Sequence, residues 1–531
     1  MKARSVAVRI ACWLLVGLAA SGQAQVARVQ VNEFVVTGNT LLPPETLDAA
    51  LAPFKGERTL DELKLAAQAV QALYRDAGYG AVIAYVPEQS GSPGRATIAV
   101  LEGRISRVEV IGNSQFTADN IRRSLPALQV GTTPQVRLLD TQVRLANENP
   151  AKRIALTLEP GQQAGEVDAR VMVVEQSPSF WTLAVDNSGN DSTGMYRGYV
   201  RYQQADLWDL DHVLSFQVGT SLTEPSSALS IGGNYRIPIY EYGMTADIFA
   251  AYSDANAGST FTAAGVLNFN GSGEVAGVLL TKYLERLGEF DPQLGVGLDL
   301  RLFLNNCDIQ GLPAGACGSA GESVTVNPLT IAYSAQRGGK NPAGFSVGLS
   351  QNLGLAGPNG SAANFDAVRP GAPKYYTLFR VGGNGAVSLP SQWQLQGRLS
   401  GQLTADALIP GEQFGIAGAN TVRGYIEREV VGDQGVAGSV ELYAPPMLEP
   451  FGTQQAMLQG LAFVDAGKVW NHLDTPCVGT SSICPLASVG LGLRAAFRGL
   501  QLRVDVGYAL KDGNSTMAGD IRANFLATYS F

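Results

Sequence analysis

Histidine is almost missing: the 531-residue chain holds only His212 and His472. A zinc site therefore lacks its usual donors. Charged residues make up 16% of the chain, and the net charge of −8 argues against a nucleic-acid partner, which favours a basic face. No stretch beyond the N-terminus approaches the ~18 consecutive apolar residues of a membrane helix. That absence leaves a membrane barrel open, because a barrel hides its hydrophobicity in every second residue. There is no Gly-x-x-x-x-Gly-Lys-Ser/Thr loop for a nucleotide. The carboxylates are scattered through loop-like sequence, so no catalytic set, metal site or cofactor motif is expected.

Cysteine is also scarce, at five residues. Cys12 lies in the leader described next. The others form two close pairs, Cys307/Cys317 and Cys477/Cys484, neither of them a Cys-x-x-Cys. Two loop disulfides in an oxidising compartment are the reading we favour over free thiols.

The chain opens as an export signal. Lys2, Arg4 and Arg9 precede an apolar core from Ile10 to Ala20, and Gly22-Gln23-Ala24 offers a cleavage site, giving a leader over 1–24. Two units of one pattern follow, at 28–104 and 105–176. In the first, a strand ending at Gly38-Asn39 leads into a short helix near Glu45 to Leu51. A longer helix is capped by Thr59 and Glu62. Leu63, Ala66, Ala67, Val70, Leu73, Tyr74 and Ala77 mark its buried stripe. Gly78 ends that helix, and two strands complete the unit. The second unit repeats the order about 75 residues later. A strand ends at Gly112-Asn113, Thr117 caps a short helix, and a helix near Arg137 to Asn147 carries Val136, Leu139, Val143 and Ala146 on one face.

From 179 to 531 the period changes to two. Stretches such as Val213 to Leu222, Leu294 to Leu304, Trp393 to Leu403 and Leu500 to Tyr508 alternate apolar with polar residues. Strands near ten residues with one apolar face suit lipid outside and water inside, with Gln394, Gln396 and Arg398 towards the lumen. Sixteen strands are expected, with Phe261 to Asn270 set aside as a hairpin within a long loop. The last strand places Ile521, Phe525, Tyr529 and Phe531 on one face. Gly354 to Lys374 reads as a long loop.

Within this region lie Thr421-Val422-Arg423-Gly424-Tyr425, continued by Gly432-Asp433-Gln434-Gly435, and then Phe463-Val464-Asp465-Ala466-Gly467. The first reads as the tip of a loop near 405–435 folded into a barrel. The second reads as its docking point on the inner wall. Arg423 at membrane depth calls for a partner, and Asp465 offers a carboxylate for a two-pronged bond. Gly424 permits close approach and Gly467 removes bulk opposite it.

The tandem strand–helix–helix–strand–strand units resemble POTRA domains. Together with the leader, the Val422-Arg423-Gly424-Tyr425 tip and the Phe463/Asp465/Gly467 strand, the chain resembles the outer-membrane transporters of two-partner secretion. These are the haemolysin-activator and filamentous-haemagglutinin transporter type, within the wider superfamily of POTRA-bearing barrels. Asp186-Asn187-Ser188-Gly189 resembles that family's first hairpin, and Asn147-Glu148-Asn149-Pro150 its turn after the second POTRA helix. The resemblance implies two periplasmic POTRA domains followed by a transmembrane antiparallel sixteen-stranded β-barrel. It implies passage of one large exported client, unfolded, to the surface, with energy from the client's folding outside. Phe525, Tyr529 and Phe531 then resemble the signal read by the barrel assembly machinery, and outer-membrane lipid becomes a partner. Many family members carry an extra N-terminal helix that plugs the pore. The few residues between Ala24 and the first strand leave closure to the inward loop.

Three rivals remain. An insertase of the same superfamily usually carries three or more POTRA units. A passive porin has no need of the paired motifs. An exported hydrolase has only Gly344-Phe345-Ser346-Val347-Gly348, a Gly-x-Ser-x-Gly in strand-like sequence with no nearby histidine.

Overall fold

The computed structural model describes residues 28–89, 93–189, 193–254, 259–262, 265–268, 272–304, 322–355, 357–447 and 456–531. Contacts divide the chain into Met1–Arg104 and Ile105–Phe531.

The first unit has strands β1 (Arg28–Thr37), β2 (Gly56–Thr59), β3 (Val82–Tyr85) and β4 (Gly94–Glu102) in the order β2-β1-β4-β3. Helices α1 (Pro44–Leu51) and α2 (Leu60–Asp76) pack on the sheet. The capping box at Thr59 and Glu62 forms, and it fixes the start of α2. At its end the Gly78 N–H donates to Arg75 O and the Tyr79 N–H to Tyr74 O, with Gly78 at φ +94°. This is the glycine-terminated cap anticipated from the sequence. Leu63, Ala66, Ala67, Val70 and Tyr74 are buried, whereas Leu73 and Ala77 lie at the margin.

The second repeat has β5 (Arg104–Ile111), β6 (Lys152–Pro160) and β7 (Glu166–Glu175) in the order β5-β7-β6, with α3 (Ala118–Arg123) and α4 (Val136–Ala146). Thr117 caps α3 by accepting the Asn120 N–H. Val136 departs from the expected buried face: it is 43% exposed, because α4 is covered over its last two turns and not its first.

The two units share a turn that explains their repeated Gly-Asn. Gly38 and Gly112 have positive φ, and a Cβ on either would meet a backbone oxygen, Val100 O at 2.1 Å or Val173 O at 2.5 Å. Asn39 and Asn113 each bridge to the carbonyl three residues on. The last strand of each unit ends in a carboxylate that receives the next amides. Glu102 accepts from Thr40 and Leu41, and Glu175 from Ser114, Gln115 and Phe116. Burial raises the Glu102 carboxyl, but the donors from Thr40, Tyr74 and Leu41 outweigh it and hold it below its ordinary range.

The remaining strands close a barrel: β8 (Ser179–Asp186), β9 (Arg197–Leu207), β10 (His212–Ser221), β11 (Leu229–Ile239) and β12 (Met244–Asp254) begin it. A separate hairpin, β13 (Ser259–Thr262) with β14 (Gly265–Asn268), stands outside the wall as anticipated. The wall resumes with β15 (Ser272–Tyr283), β16 (Asp291–Leu304), β17 (Val324–Val326), β18 (Pro328–Arg337), β19 (Ala343–Asn352), β20 (Thr377–Ser388) and β21 (Gln394–Leu403). Two short strands in a loop, β22 (Phe414–Ile416) and β23 (Val430–Gly432), precede β24 (Gln434–Tyr443). The wall is completed by β25 (Ala456–Trp470), β26 (Ile483–Phe497), β27 (Leu500–Ala509) and β28 (Ile521–Ser530), which pairs with β8. Because β17 and β18 both pair with β16 and are separated only by Asn327, they form one wall strand, making sixteen among the described residues.

Alternation decides the two faces. Leu395, Leu399 and Leu403 stand exposed on the outside, while Gln394, Gln396 and Arg398 line an internal cavity or its margin. One expectation needs correcting. The stretch Gly354 to Lys374 is not loop throughout, since it contains α5 (Ala362–Val368), capped by Ser361 and Asn364. The Gly344–Gly348 segment lies on β19, in a wall strand and not at a strand-to-helix turn.

The second repeat is fastened to the near rim of the barrel. Lys152 is fully buried and donates to Asp211 Oδ2 at 2.6 Å and Asn120 Oδ1 at 2.8 Å. Tyr240 donates to the same Asp211 carboxylate at 2.6 Å. Asn149 donates to Ala205 O, and Arg144 to Leu284 O. The turns after β9, β11 and β15 therefore face this unit, and the loops after β8, β10, β21, β25 and β27 lie at the far rim.

Candidate functional site: an inward loop clasped by the wall

The segment between β21 and β24 turns into the barrel. Its β22–β23 hairpin packs beside β24 and β25. Ile416, Val422, Tyr425 and Val430 bury themselves against the wall residues Ala437, Val469, Leu486 and Ala509.

At the tip, Arg423 is wholly buried. Its Nε donates to Asp465 Oδ2 at 2.7 Å and its Nη2 to Asp465 Oδ1 at 2.8 Å, a two-pronged charge-assisted bond. Its backbone N–H adds a third contact to Asp465 at 3.1 Å. Nη1 lies 2.7 Å from Glu441 and 3.3 Å from Asp505, and Nη2 donates to Ser439 at 3.0 Å. The guanidinium sits 3.5 Å from the centre of the Phe463 ring, close enough for attraction to its π face. Arg494 and Arg503 pair with Asp505, and Arg398 lies 3.9 Å from Glu441, so four arginines and three carboxylates share the cluster. Without such partners a buried guanidinium would be costly.

The loop-tip residues Val422, Arg423, Gly424 and Tyr425 thus meet the wall residues Phe463, Asp465 and Gly467. A Cβ on Gly467 would stand 3.2 Å from the Val422 side chain. Gly424 has φ +93° and lies against the backbone of Gly507. The Tyr425 hydroxyl lies 2.9 Å from the carbonyls of Ala487 and Lys511.

Sequence reasoning missed Glu441, Ser439, Asp505 and Gly507. Asp505 and Gly507 carried a legible signal. Val504-Asp505-Val506-Gly507 repeats three of the four letters of Val464-Asp465-Ala466-Gly467, two wall strands further on. Each copy supplies a carboxylate to Arg423 and a glycine beneath the loop. Glu412 was also missed. It reaches the opposite wall, pairing with Arg301 on β16 at 3.0 Å and Arg380 on β20 at 3.6 Å. The loop therefore crosses the lumen, held by charge on both sides. A cavity of about 530 Å³ remains, lined by Arg301, Arg380, Asp299, Arg236 and Glu148 of the second unit.

The other predicted residues lie elsewhere. Cys477 and Cys484 form a disulfide, buried in the cluster that packs on Val422 and Tyr425. Cys307 and Cys317 fall outside the described residues. Phe525 and Tyr529 lie on β28 and Phe531 directly follows it at the closing seam, where the Phe531 N–H donates to Trp181 O and Trp181 returns the bond. Asn187, in the first hairpin, extends that seam by donating to Ala523 O and accepting from Phe525.

A closed barrel with an apolar outer face, a helix-backed repeat moored at its near rim and a charged loop across its lumen, on a chain that also carries an N-terminal copy of that repeat, define a POTRA-bearing outer-membrane transporter. Residues 165–495 match the family described as haemolysin secretion/activation protein ShlB/FhaC/HecB, and residues 29–103 match the ShlB-type POTRA domain. The chain belongs to that family. It is 23% identical over 489 residues to the outer membrane transporter CdiB of Dickeya dadantii (strain 3937), spanning 90% of this chain and 82% of that one. It is 22% identical over 447 residues to the heme/hemopexin transporter protein HuxB of Haemophilus influenzae, spanning 82% of this chain and 75% of that one. The solved structure of CdiB from Escherichia coli superposes with a TM-score of 0.74 at 18% identity, covering 97% of this chain and 93% of that one, and shares the fold. The protein is an outer-membrane transporter of two-partner secretion, moving a large exported partner protein, with its POTRA units in the periplasm.

Proposed function

We propose that Arg423 pins the inward loop to the wall through Asp465 and so fixes the barrel in the state that accepts a client. The complete burial of Arg423 on two-pronged bonds to Asp465 carries this reading. Removing Arg423 leaves the buried Asp465 carboxylate without its guanidinium, and breaking a buried pair costs about 3–5 kcal/mol. In Asp465→Ala the guanidinium keeps Glu441 and Asp505 but loses its two-pronged bond.

The client meets the POTRA units, 28–104 and 105–176, as an added strand or a chain laid in their groove, then threads the barrel of 179–531. The edge strands β3 and β5 support this, since an open sheet edge offers unpaired backbone groups to an extended peptide. Residues 1–24 act only in export. Phe525, Tyr529 and Phe531 serve recognition by the barrel assembly machinery.

The test is secretion of the client by Arg423→Ala and Asp465→Ala variants. Export should fall in both while the amount of folded barrel in the outer membrane is unchanged. Normal export would remove the proposal, and loss of barrel in step with loss of export would reduce the pair to an assembly role. Deleting residues 29–175 should abolish client capture and leave a membrane barrel, read by pull-down of the client.

A further inference from the structure

A second arginine–aspartate pair lies at the far end of the same loop. Asp433, at the loop's return into β24, is wholly buried. Arg369 follows α5 and contacts both oxygens of that carboxylate, with Nη2 2.9 Å from Oδ2. Asp433 also accepts the Leu408 N–H at 2.9 Å, the His472 N–H at 2.8 Å and Gln413 Nε2 at 3.1 Å. Arg369 in turn donates to Leu408 O and, at 3.3 Å each, to His472 O and Thr475 Oγ1.

One ion pair thus gathers the start and end of the inward loop, the loop bearing α5 and the loop joining β25 to β26. Gly371 and Leu473 touch across the same junction, since a Cβ on Gly371 would stand 2.7 Å from Leu473 Cδ1. The two arginines differ in what they join. Arg423 binds the loop to the strands of the wall, whose ladder of backbone bonds holds Asp465 and Asp505 in place. Arg369 joins loop to loop, and apart from Asp433 at the head of β24 none of its partners belongs to a wall strand.

We propose that Arg369 and Asp433 are positioning residues that latch the surface mouth of the pore. The latch opens to release a client while Arg423 keeps the loop tip on the wall. This rests on the loop-pinning role given to Arg423, but its test does not depend on it. Losing the pair removes charge-assisted bonds to buried partners, and bonds of that strength shift a two-state equilibrium about tenfold or more.

The experiment is single-channel recording in planar bilayers in potassium chloride, on the purified full chain and its Arg369→Ala, Arg369→Lys and Asp433→Asn variants. The open fraction should rise about tenfold in Arg369→Ala and Asp433→Asn. It should rise less in Arg369→Lys, whose single ammonium cannot span Asp433, Leu408 and Thr475 together. Thr475→Val leaves the ion pair intact and should give a small rise, keeping the test decisive if the charge variants fail to fold. A heat-modifiable, folded barrel with a wild-type open fraction in the charge variants overturns the latch. Where only Thr475→Val folds, a wild-type open fraction does the same. Failure of the Arg423 role would appear instead as unimpaired secretion by Arg423→Ala, with channel behaviour in the Arg369 variants unaffected by that result.

Discussion

Asp465 and Asp505 hold one guanidinium between them, although they stand on β25 and β27 with a whole strand between. Asp465 makes the two-pronged bond, while Asp505 divides itself among Arg423, Arg494 and Arg503. With Ser439 on β24 and the Ala487 carbonyl on β26, which Tyr425 reaches, the tip is clamped by four neighbouring strands and does not hang from a single contact.

The glycines beneath the tip should be as sensitive as the charges. A Cβ on Gly507 would stand 2.6 Å from Gly424 N and 2.9 Å from Arg423 C, both backbone atoms with no room to yield. Gly507→Ala should lower secretion about tenfold or more, a shift that needs only ~1.4 kcal/mol. Gly467→Ala meets its neighbours at 3.2 Å, two of them side-chain methyls, and should do less harm. Secreted client measured against folded barrel in the membrane ranks the two. Equal export from both variants would show that the tip tolerates displacement.

The Lys152–Asp211 pair predicts a double-mutant cycle. Burial draws the Lys152 ammonium below its ordinary range, while the Asp211 carboxylate opposes that pull. Asp211→Asn strips Lys152 of its counter-charge, at a cost of about 3–5 kcal/mol for a buried pair. Lys152→Met with Asp211→Asn should recover part of that loss, because an apolar replacement needs no counter-charge. Hydrogen exchange in β6 and in the turn after β9 reports it. Additive single effects would show that the two side chains do not act together.

Acid should loosen the repeated turn in both POTRA units. Glu102 and Glu175 are held below the ordinary carboxylate range by amide and hydroxyl donors that overcome burial. A depressed folded-state value means that the stabilisation is present above the unfolded pKa of about 4.3 and is lost as pH falls through the folded value. Hydrogen exchange, corrected for its intrinsic pH dependence, should show residues 38–42 and 112–116 losing protection as pH drops from about 5 to about 3. In Glu102→Gln the first of these turns should start less protected and show little further change. Unchanged protection across that range in the unaltered chain would contradict the account.

The tip motif and its wall partner could be read in the sequence because each is a compact run of letters. Alternation pointed to the barrel with sixteen or seventeen candidate strands, and the even strand number of single-chain barrels decided for sixteen. What the sequence did not reveal depends on register. Glu441, Ser439 and Asp505 surround Arg423 only because β24, β25, β26 and β27 align as they do, and no spacing along the chain encodes that. Glu412, and the partner of the already singled-out Asp433, were hidden for the same reason, Arg301 and Arg369 lying far away in sequence. Helix α5 escaped because seven residues, about two turns, show little periodicity, and its cap uses Asn364 where the commoner box has Glu or Gln. Val136 was misplaced because a helical stripe says which side is apolar but not how far along the helix the cover extends.

Only Gln176, Ser177 and Pro178 separate β7 from β8. β8 joins β28 by five residue pairs, against eight between β8 and β9. Any tug on the second POTRA unit that exceeds its side-chain moorings is carried by three residues into the stave next to the shortest joint of the cask. The protein is built so that mechanical load from its periplasmic side arrives where the cylinder has the fewest stitches.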